Sequence, residues 1–318
     1  SSKDDCTVSV VPRGSDALME TLRVAVSAQS DSAGRPENQD VAMALALPTS
    51  SALPADDFLL LVADGMGGAP AGDVASQIAA STLRDAFPQI PDGDLAQALK
   101  SAYRKANDAI YAAGLENPAQ AGMGTTLTAA LLRGKYATIA HVGDSRAYLL
   151  RGGGVTQVTQ DHTVVAEDLA RGKINAREAQ TDPRRNQLTH ALGVRERLES
   201  RLPAIFELAL LPGDRLLLCS DGLYGVVDQV DMQRLLATQE ADAAAIALVD
   251  LARERGTTDN ATAVVAAAIP TRVPVTGVLE ATESRTGGLA GTTLAAVVAV
   301  LVLLLTALAI YLLFFFPR

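Results

Sequence analysis

Through the first 270 positions, apolar residues come in short runs that stop abruptly at Gly, Asp, Asn or Pro. They are LRVAVSA (22–28), FLLLVAD (58–64), TTLTAALL (125–132), YATIAHVGD (136–144), RAYLLR (146–151), RLLLCSD (215–221) and NATAVVAAAI (260–269). Their shortness, β-branched content and turn-forming boundaries predict strands. RAYLLR, the glycine triplet at 152–154 and the following VTQVT predict a hairpin. Wider spacing of apolar positions predicts helices over 72–87, 95–116, 230–238 and 243–255; in the first, Val74, Ile78 and Leu83 fall near one face. Strands cluster and helices come in pairs, unlike the βαβα alternation of a parallel sheet. The predicted fold class is therefore α+β, a β-sandwich of two antiparallel sheets with helices packed outside.

The pattern changes at the C-terminus. Residues 294–316, LAAVVAVLVLLLTALAIYLLFFF, form an uncharged stretch of 23 residues. As a helix it would be about 34 Å long, enough for a hydrocarbon core of about 30 Å. A transmembrane helix is expected there. The Thr-, Gly- and Ser-rich segment 271–293 reads as a flexible tether, 1–20 as a loose N-terminus, and 21–270 as the globular domain. The polar N-terminus carries no secretory-type apolar core, so a single-pass C-terminal anchor in the inner membrane, with the domain cytoplasmic, is expected.

Composition narrows the chemistry. With 27 basic against 36 acidic residues, a net charge of −9, the chain lacks the basic excess that nucleic-acid binding requires. Its two cysteines, Cys6 and Cys219, exclude a disulfide scaffold and a four-cysteine zinc cluster, and three histidines leave little for an imidazole-rich metal site. Carboxylates are the remaining candidates. Asp64 (VADGMGG), Asp144 (HVGDSR) and Asp221 (CSDGL) each end a predicted strand, and Asp259 (TTDNAT) opens one. Singly these are ordinary turn residues. Together, at strand ends of a small sandwich, they can converge, and converging carboxylates repel unless a divalent cation neutralises them. Ligation by oxygen alone points to Mg²⁺ or Mn²⁺ rather than zinc.

Six motifs then follow one another in a single order: Arg35-Pro36-Glu37-Asn38-Gln39-Asp40, Asp64-Gly65-Met66-Gly67-Gly68, Gly122-Met123-Gly124-Thr125-Thr126, Gly143-Asp144-Ser145-Arg146, Ser220-Asp221-Gly222 and Asp259-Asn260. In this order the chain resembles the PPM family, the type 2C metal-dependent Ser/Thr protein phosphatases, in its bacterial branch, over about 22–270. The resemblance implies a sandwich flanked by helix pairs with a cluster of Mn²⁺ or Mg²⁺ at one end: two ions, and a third position in bacterial members. It implies that Asp64 bridges two ions, that the Gly65 carbonyl binds the second, that Asp221 and Asp259 complete the first, and that Asp144 with Asp221 holds the third. Asp40 would orient water, and Arg35 would bind the substrate phosphate through its planar fork. Hydrolysis would proceed by water activated between the ions, without a phospho-enzyme, so Cys219 reads as a small buried hydrophobe.

Three departures accompany the resemblance. Met66 stands where the eukaryotic branch has His, Gln39 where a carboxylate often precedes Asp40, and Asp182-Pro183 replaces the usual His-Pro of a flap-like segment, 161–193. His162, at the start of that segment, either touches substrate or is a hydrogen-bonded structural histidine. The implied partners are phosphorylated proteins, an opposing Ser/Thr protein kinase and, through the anchor, the membrane. Two alternatives stay open: a phosphatase of anti-sigma-factor antagonists, and a non-catalytic scaffold that binds phosphoproteins.

Overall fold

Strands that read as unbroken apolar runs bury both faces, which requires a layer on either side of each sheet. A computed structural model describes residues 18–46, 57–68, 71–87 and 93–274, and shows that arrangement. The strands are β1 (Leu18–Asp31), β2 (Asp40–Ala46), β3 (Phe58–Met66), β4 (Gly124–Thr125), β5 (Leu127–Arg133), β6 (Tyr136–Val142), β7 (Arg146–Arg151), β8 (Gly154–Gln157), β9 (Ala204–Ala209), β10 (Arg215–Cys219) and β11 (Ala261–Pro274). One sheet runs β1-β11-β10-β7-β8; the other runs β2-β3-β5-β6-β9, with β4 added to β3. The registered pairings within them are antiparallel, as predicted.

Alternation along each strand sorts side chains into three apolar layers. From β3, Phe58, Leu60 and Val62 point between the sheets, where they meet Leu216 and Leu218 of β10 and Val264 and Ala266 of β11. Leu59, Leu61 and Ala63 point outward, beneath helices α1 (Ala71–Ala86) and α2 (Leu95–Glu116). On the opposite side, Leu217, Cys219 and Val265 pack under α6 (Gln229–Thr238) and α7 (Ala241–Glu254). Cys219 is thus the buried small hydrophobe expected. The hairpin prediction holds, with Arg151 paired to Gly154. Gly152 and Gly153, at φ 57° and 82°, supply the left-handed pair that a two-residue hairpin turn needs.

Some details differ from the sequence reading. In α1 the deeply buried stripe is Ala71, Ala75, Ala79 and Leu83, spaced by four, while Val74 and Ile78 are only partly buried. Small residues let this helix lie close to β3, and the larger ones flank the contact. Strands β2 and β9 lie outside the predicted runs because their side chains are mostly half-buried. The segment 161–193 contributes two short helices, α3 (Val164–Ala170) and α4 (Ala176–Thr181), and a four-residue helix, α5 (Asp221–Tyr224), follows β10. The expected membrane span at 294–316 lies outside the described residues, and no helix among those described is long and apolar enough to cross a membrane.

The layering makes a graded prediction for stability. Leu60 is fully enclosed, whereas Leu115 is 70% exposed at the end of α2. Leu60→Ala should cost roughly 2–5 kcal/mol in urea denaturation, and Leu115→Ala less than about 0.5 kcal/mol. Equal losses would contradict the assignment of Leu60 to the layer between the sheets.

Candidate active site

Antiparallel neighbours bring their alternate ends to one edge of the sandwich, and that edge collects the acidic residues. Asp40 opens β2 directly opposite Asp64 on β3. The backbone of Asp64 is held on both sides. Its amide donates to Thr126 Oγ1 at 3.0 Å, and its carbonyl accepts from the Thr126 amide and Thr125 Oγ1, each at 2.9 Å. Thr126 Oγ1 lies 2.7 Å from Ser145 Oγ, which ties this turn to the one carrying Asp144. Gly143, at φ 111°, permits that approach, since a Cβ there would fall 2.6 Å from the Thr126 side chain. The Tyr224 hydroxyl donates to the Asp144 carbonyl at 3.1 Å. Gly65 lies so close to the first turn of α1 that a Cβ would sit 2.1 Å from the Gly72 carbonyl oxygen.

On the other sheet, Asp221 starts α5 and Asp259 immediately precedes β11. Asn260 fastens the loop between β1 and β2 to this point. Its Nδ2 donates to the carbonyls of Ser32 and Glu37, each at 3.0 Å, and its Oδ1 accepts from the Gln39 amide at 2.9 Å. That loop carries Arg35, whose Nη2 donates to Asp259 Oδ2 at 2.7 Å.

Arg35, Asp64, Gly65, Asp144, Asp221 and Asp259 together line a cavity of about 450 Å³, closed on one side by Asn186, Gln187 and Leu188 of the flap-like segment. Of the residues to which the resemblance assigns a metal, water or phosphate role, Asp40 alone is not on this wall. Its Oδ2 instead accepts from Ser220 Oγ at 2.7 Å and Thr262 Oγ1 at 2.6 Å, so it stands behind Asp64. His162 is not on the wall either. Its Nδ1 accepts from the Gly143 amide at 3.2 Å, which favours the structural role, and its ring lies near those of His141 (tilted) and His190 (edge-on), at centroid distances of 4.8 and 5.4 Å.

The electrostatics are those of crowded acids. Burial pushes the Asp64 carboxyl well above its ordinary range, and Asp40, Asp221, Asp144 and Asp259 push it further. Asp144 is raised to about 7 by burial and by Asp221. Asp40 and Asp221 are raised for the same reasons, and Asp221 lies within hydrogen-bonding reach of Asp64. Two buried carboxylates in contact need a proton or a cation between them. Among the described residues no three acidic, His or Cys groups are gathered into a closed ligand cluster; Arg35 supplies the one positive charge, on Asp259. The donor set, oxygen only and in excess of negative charge, fits hard divalent cations.

A profile of the family described as "Protein phosphatase 2C" matches residues 25–261, which contain every residue of this cavity. The chain belongs to the protein phosphatase 2C family. It is 42% identical over 208 residues to the serine/threonine protein phosphatase PstP of Mycobacterium tuberculosis, a match covering 65% of this chain and 40% of that protein. The chain therefore spans less than half the length of that relative. It is 38% identical over 185 residues to the serine/threonine phosphatase stp of Listeria monocytogenes, covering 57% and 72% of the two chains. The crystal structure of the M. tuberculosis phosphatase PstP/Ppp superposes with a TM-score of 0.69 at 40% identity, over 78% of this chain and 99% of that one. A PstP catalytic domain in complex with two manganese ions superposes with a TM-score of 0.67 at 38% identity, over 79% of this chain and all of that one.

Sequence reasoning passed over the residues that hold the acids in place. Thr126, Ser220 and Asn260 sit inside the quoted motifs yet carry no charge to draw attention, and Thr262 lies inside a strand with no signal at all.

The raised carboxyls give a pH dependence with a definite sign. The ordinary aspartate value is about 4. The cation-free native state therefore holds protons at pH 5–7 that the unfolded chain has released, so acidification through this range stabilises it. A divalent cation competes with those protons. The rise in Tm on adding Mn²⁺ should therefore be larger at pH 8 than at pH 5.5 by scanning fluorimetry. His141 and His162, lowered to about 3 and 4 by burial, act in the opposite direction but cancel in the difference with and without metal. An equal rise at both pH values would refute competition at this cluster.

Proposed function

We propose that this protein hydrolyses phosphoserine and phosphothreonine on proteins, using Mn²⁺ or Mg²⁺ held by its aspartates. The observation that carries this reading is the joining of one arginine and four aspartates around a single open cavity, in a member of the 2C family. Asp64, the Gly65 carbonyl, Asp221 and Asp259 would hold two ions, and Asp144 with Asp221 a third. When bound, the cations neutralise charge on the phosphoryl oxygens and activate water at neutral pH.

The chain's own residues do the rest. Arg35, more than half exposed, is held by Asp259; with that carboxylate engaged on a cation, the arginine fork would be free to take two phosphate oxygens. Asp40 has Oδ2 committed to Ser220 and Thr262, which leaves Oδ1 to orient water beside Asp64. Among the described residues no cysteine nucleophile competes: burial pushes the Cys219 thiol up to about 12. Met66 offers no proton, so the leaving alkoxide takes its proton from solvent. A scaffold that only bound phosphoproteins would have to tolerate the same carboxylate repulsion with no cation chemistry in return.

The expected setting is the cytoplasmic face of the inner membrane, held there by 294–316, where the enzyme would oppose a Ser/Thr protein kinase. A tether raises the effective concentration of enzyme near membrane-bound substrates.

Hydrolysis of a phosphothreonine peptide should depend wholly on Mn²⁺ or Mg²⁺ and vanish in EDTA. Asp64→Asn and Asp221→Asn should each lower kcat by orders of magnitude, because each removes a ligand oxygen and a negative charge. Arg35→Ala should raise KM more than it lowers kcat. Turnover that survives EDTA or Asp221→Asn would overturn the proposal.

The anchor has its own test. A charge at the centre of a spanning helix costs roughly 2.5–3.5 kcal/mol on insertion scales. Leu303→Asp with Leu304→Asp should move the protein from the carbonate-resistant membrane fraction to the soluble one with activity retained. A wild-type protein already soluble would refute the anchor.

A further inference from the structure

A second cavity, of about 200 Å³, opens beside the catalytic one and shares Met66 and Leu188 with it as common wall. Ala191, Leu198 and Leu202 give it an apolar lining, and Arg195 and Arg197, from the segment 195–197, also line it. This segment is held from below. Asn107 of α2, buried, accepts from the Gly193 amide at 3.0 Å and donates to the carbonyls of Arg195 and Glu196 at 3.2 and 3.4 Å. Gly193, at φ 83°, lies so close to Ile110 that a Cβ would meet its Cγ2 at 2.1 Å. The loop is therefore fixed to the helix layer.

The charges of this loop are unevenly spent. Glu199, the one acid lining the cavity, is already engaged by Arg195 Nη1 at 3.0 Å, Arg201 Nε at 2.9 Å and His190 Nε2 at 3.2 Å. Arg201 most strongly, and His190 after it, hold its carboxyl below the usual range. Glu196 does not line the cavity. Arg197 does, is exposed, and has no hydrogen-bond or ion-pair partner among the described residues. An unpartnered guanidinium beside a reaction centre, on a domain of net negative charge, marks a place for an anion.

We propose that this cavity is a substrate subsite in which Arg197 selects an anionic side chain close in sequence to the phosphorylated residue. The proposal rests on the phosphatase reading above and names the class of peptide that site prefers. A peptide with its phosphoryl group in the catalytic cavity passes over Met66 and Leu188 in leaving it. In an extended chain the next side chain on the same face lies about 7 Å along. That side chain enters the adjoining cavity, with its stem on the apolar lining and its charged end at Arg197. A carboxylate and a second phosphate share this chemistry. A larger cavity of about 610 Å³, which shares Asn186 and Asp221 with the catalytic one, carries Asp161 and Asp221 on its wall, and its Arg146 is already bound to Asp161 and Tyr148. Its one uncommitted cation is Arg185, which serves as the control.

The test uses the full-length protein and a phosphothreonine peptide series carrying a single Ala, Leu, Glu or phosphoserine at each of three positions on either side. One position should favour Glu or phosphoserine over Ala by roughly threefold to tenfold in kcat/KM, as one partly screened charge-assisted bond allows. A larger gain for phosphoserine than for Glu would identify phosphate as the preferred source. Arg197→Ala should erase the preference and leave hydrolysis of p-nitrophenyl phosphate, too small to reach the subsite, unchanged; Arg197→Lys should restore part of it, and Arg185→Ala should not disturb it. Fluorescence anisotropy with Mn²⁺ present, using labelled peptides in which a non-hydrolysable phosphonate replaces the phosphothreonine, should show the same ranking in binding, a readout independent of turnover. A preference for Leu, a preference surviving Arg197→Ala, or no preference at any position would overturn the subsite. Absence of all hydrolysis with the binding preference intact would count against the phosphatase reading alone.

Discussion

Mutual repulsion among buried carboxylates is the constraint on which this structure turns. Asp40, Asp64, Asp144, Asp221 and Asp259 come from both sheets and from five different strand ends, yet share one poorly solvated edge, where burial and neighbouring charge raise the proton affinity of Asp40, Asp64, Asp144 and Asp221. A fold that gathers them must hold each backbone firmly enough that repulsion cannot spread them. The holding groups are uncharged: Thr125 and Thr126 on Asp64, Ser220 and Thr262 on Asp40, and Asn260 on the loop that delivers Arg35. The hydrophobic layers do not select this site, but their close packing keeps the two sheets in the register that it requires.

The same constraint explains what could and could not be read from the sequence. Strands buried on both faces announce themselves as apolar runs, so β3, β5, β6, β10 and β11 were legible, as was the two-sheet architecture. Half-buried β2 and β9 dilute the alternation with alanines and polar residues, and their pairing partners are far away in sequence. Within α1 the apolar pattern drew the eye to Val74 and Ile78, while the contact was made by alanines, because close approach and not bulk is what the Gly65–Gly72 junction demands. Acidic positions were legible because charge at the end of an apolar run is conspicuous. Their hydroxyl and amide supports were not, since a threonine inside a strand looks the same whether or not it bonds a carboxylate.

The flap-like segment illustrates a further limit. Its helices are short, α3 mostly half-buried and α4 mostly exposed, and no periodicity could have placed them. What fixes the segment is a row of long-range contacts at its two ends. Arg146 grips Asp161 while its guanidinium lies 3.7 Å above the Tyr224 ring, His162 receives the Gly143 amide, and Leu192 exchanges backbone bonds with Thr125. These contacts join the segment to the same two turns that carry Asp144 and Asp64. The covering of the catalytic cavity and the placing of its acids are therefore mechanically one unit, although 161–193 looks like an insertion.

The position of β11 bears on how the chain acquires its fold. It is the last strand described, yet it lies between β1, the first, and β10, and Asp259 and Asn260 directly precede it. Its sheet cannot close, nor can the loop carrying Arg35 be fastened, until the final residues of the domain have been synthesised. A nascent chain ending anywhere before β11 has β1 without its neighbour and two sheets unable to seal the layer between them. Folding of this topology is dominated by contacts between distant parts of the sequence, which makes it slow and places its commitment late. One consequence is economy of risk in the cell: a prematurely terminated product lacks Asp259, Asn260 and the strand that unites the sheet, so it has neither a complete acid cluster nor a stable domain on which to display one.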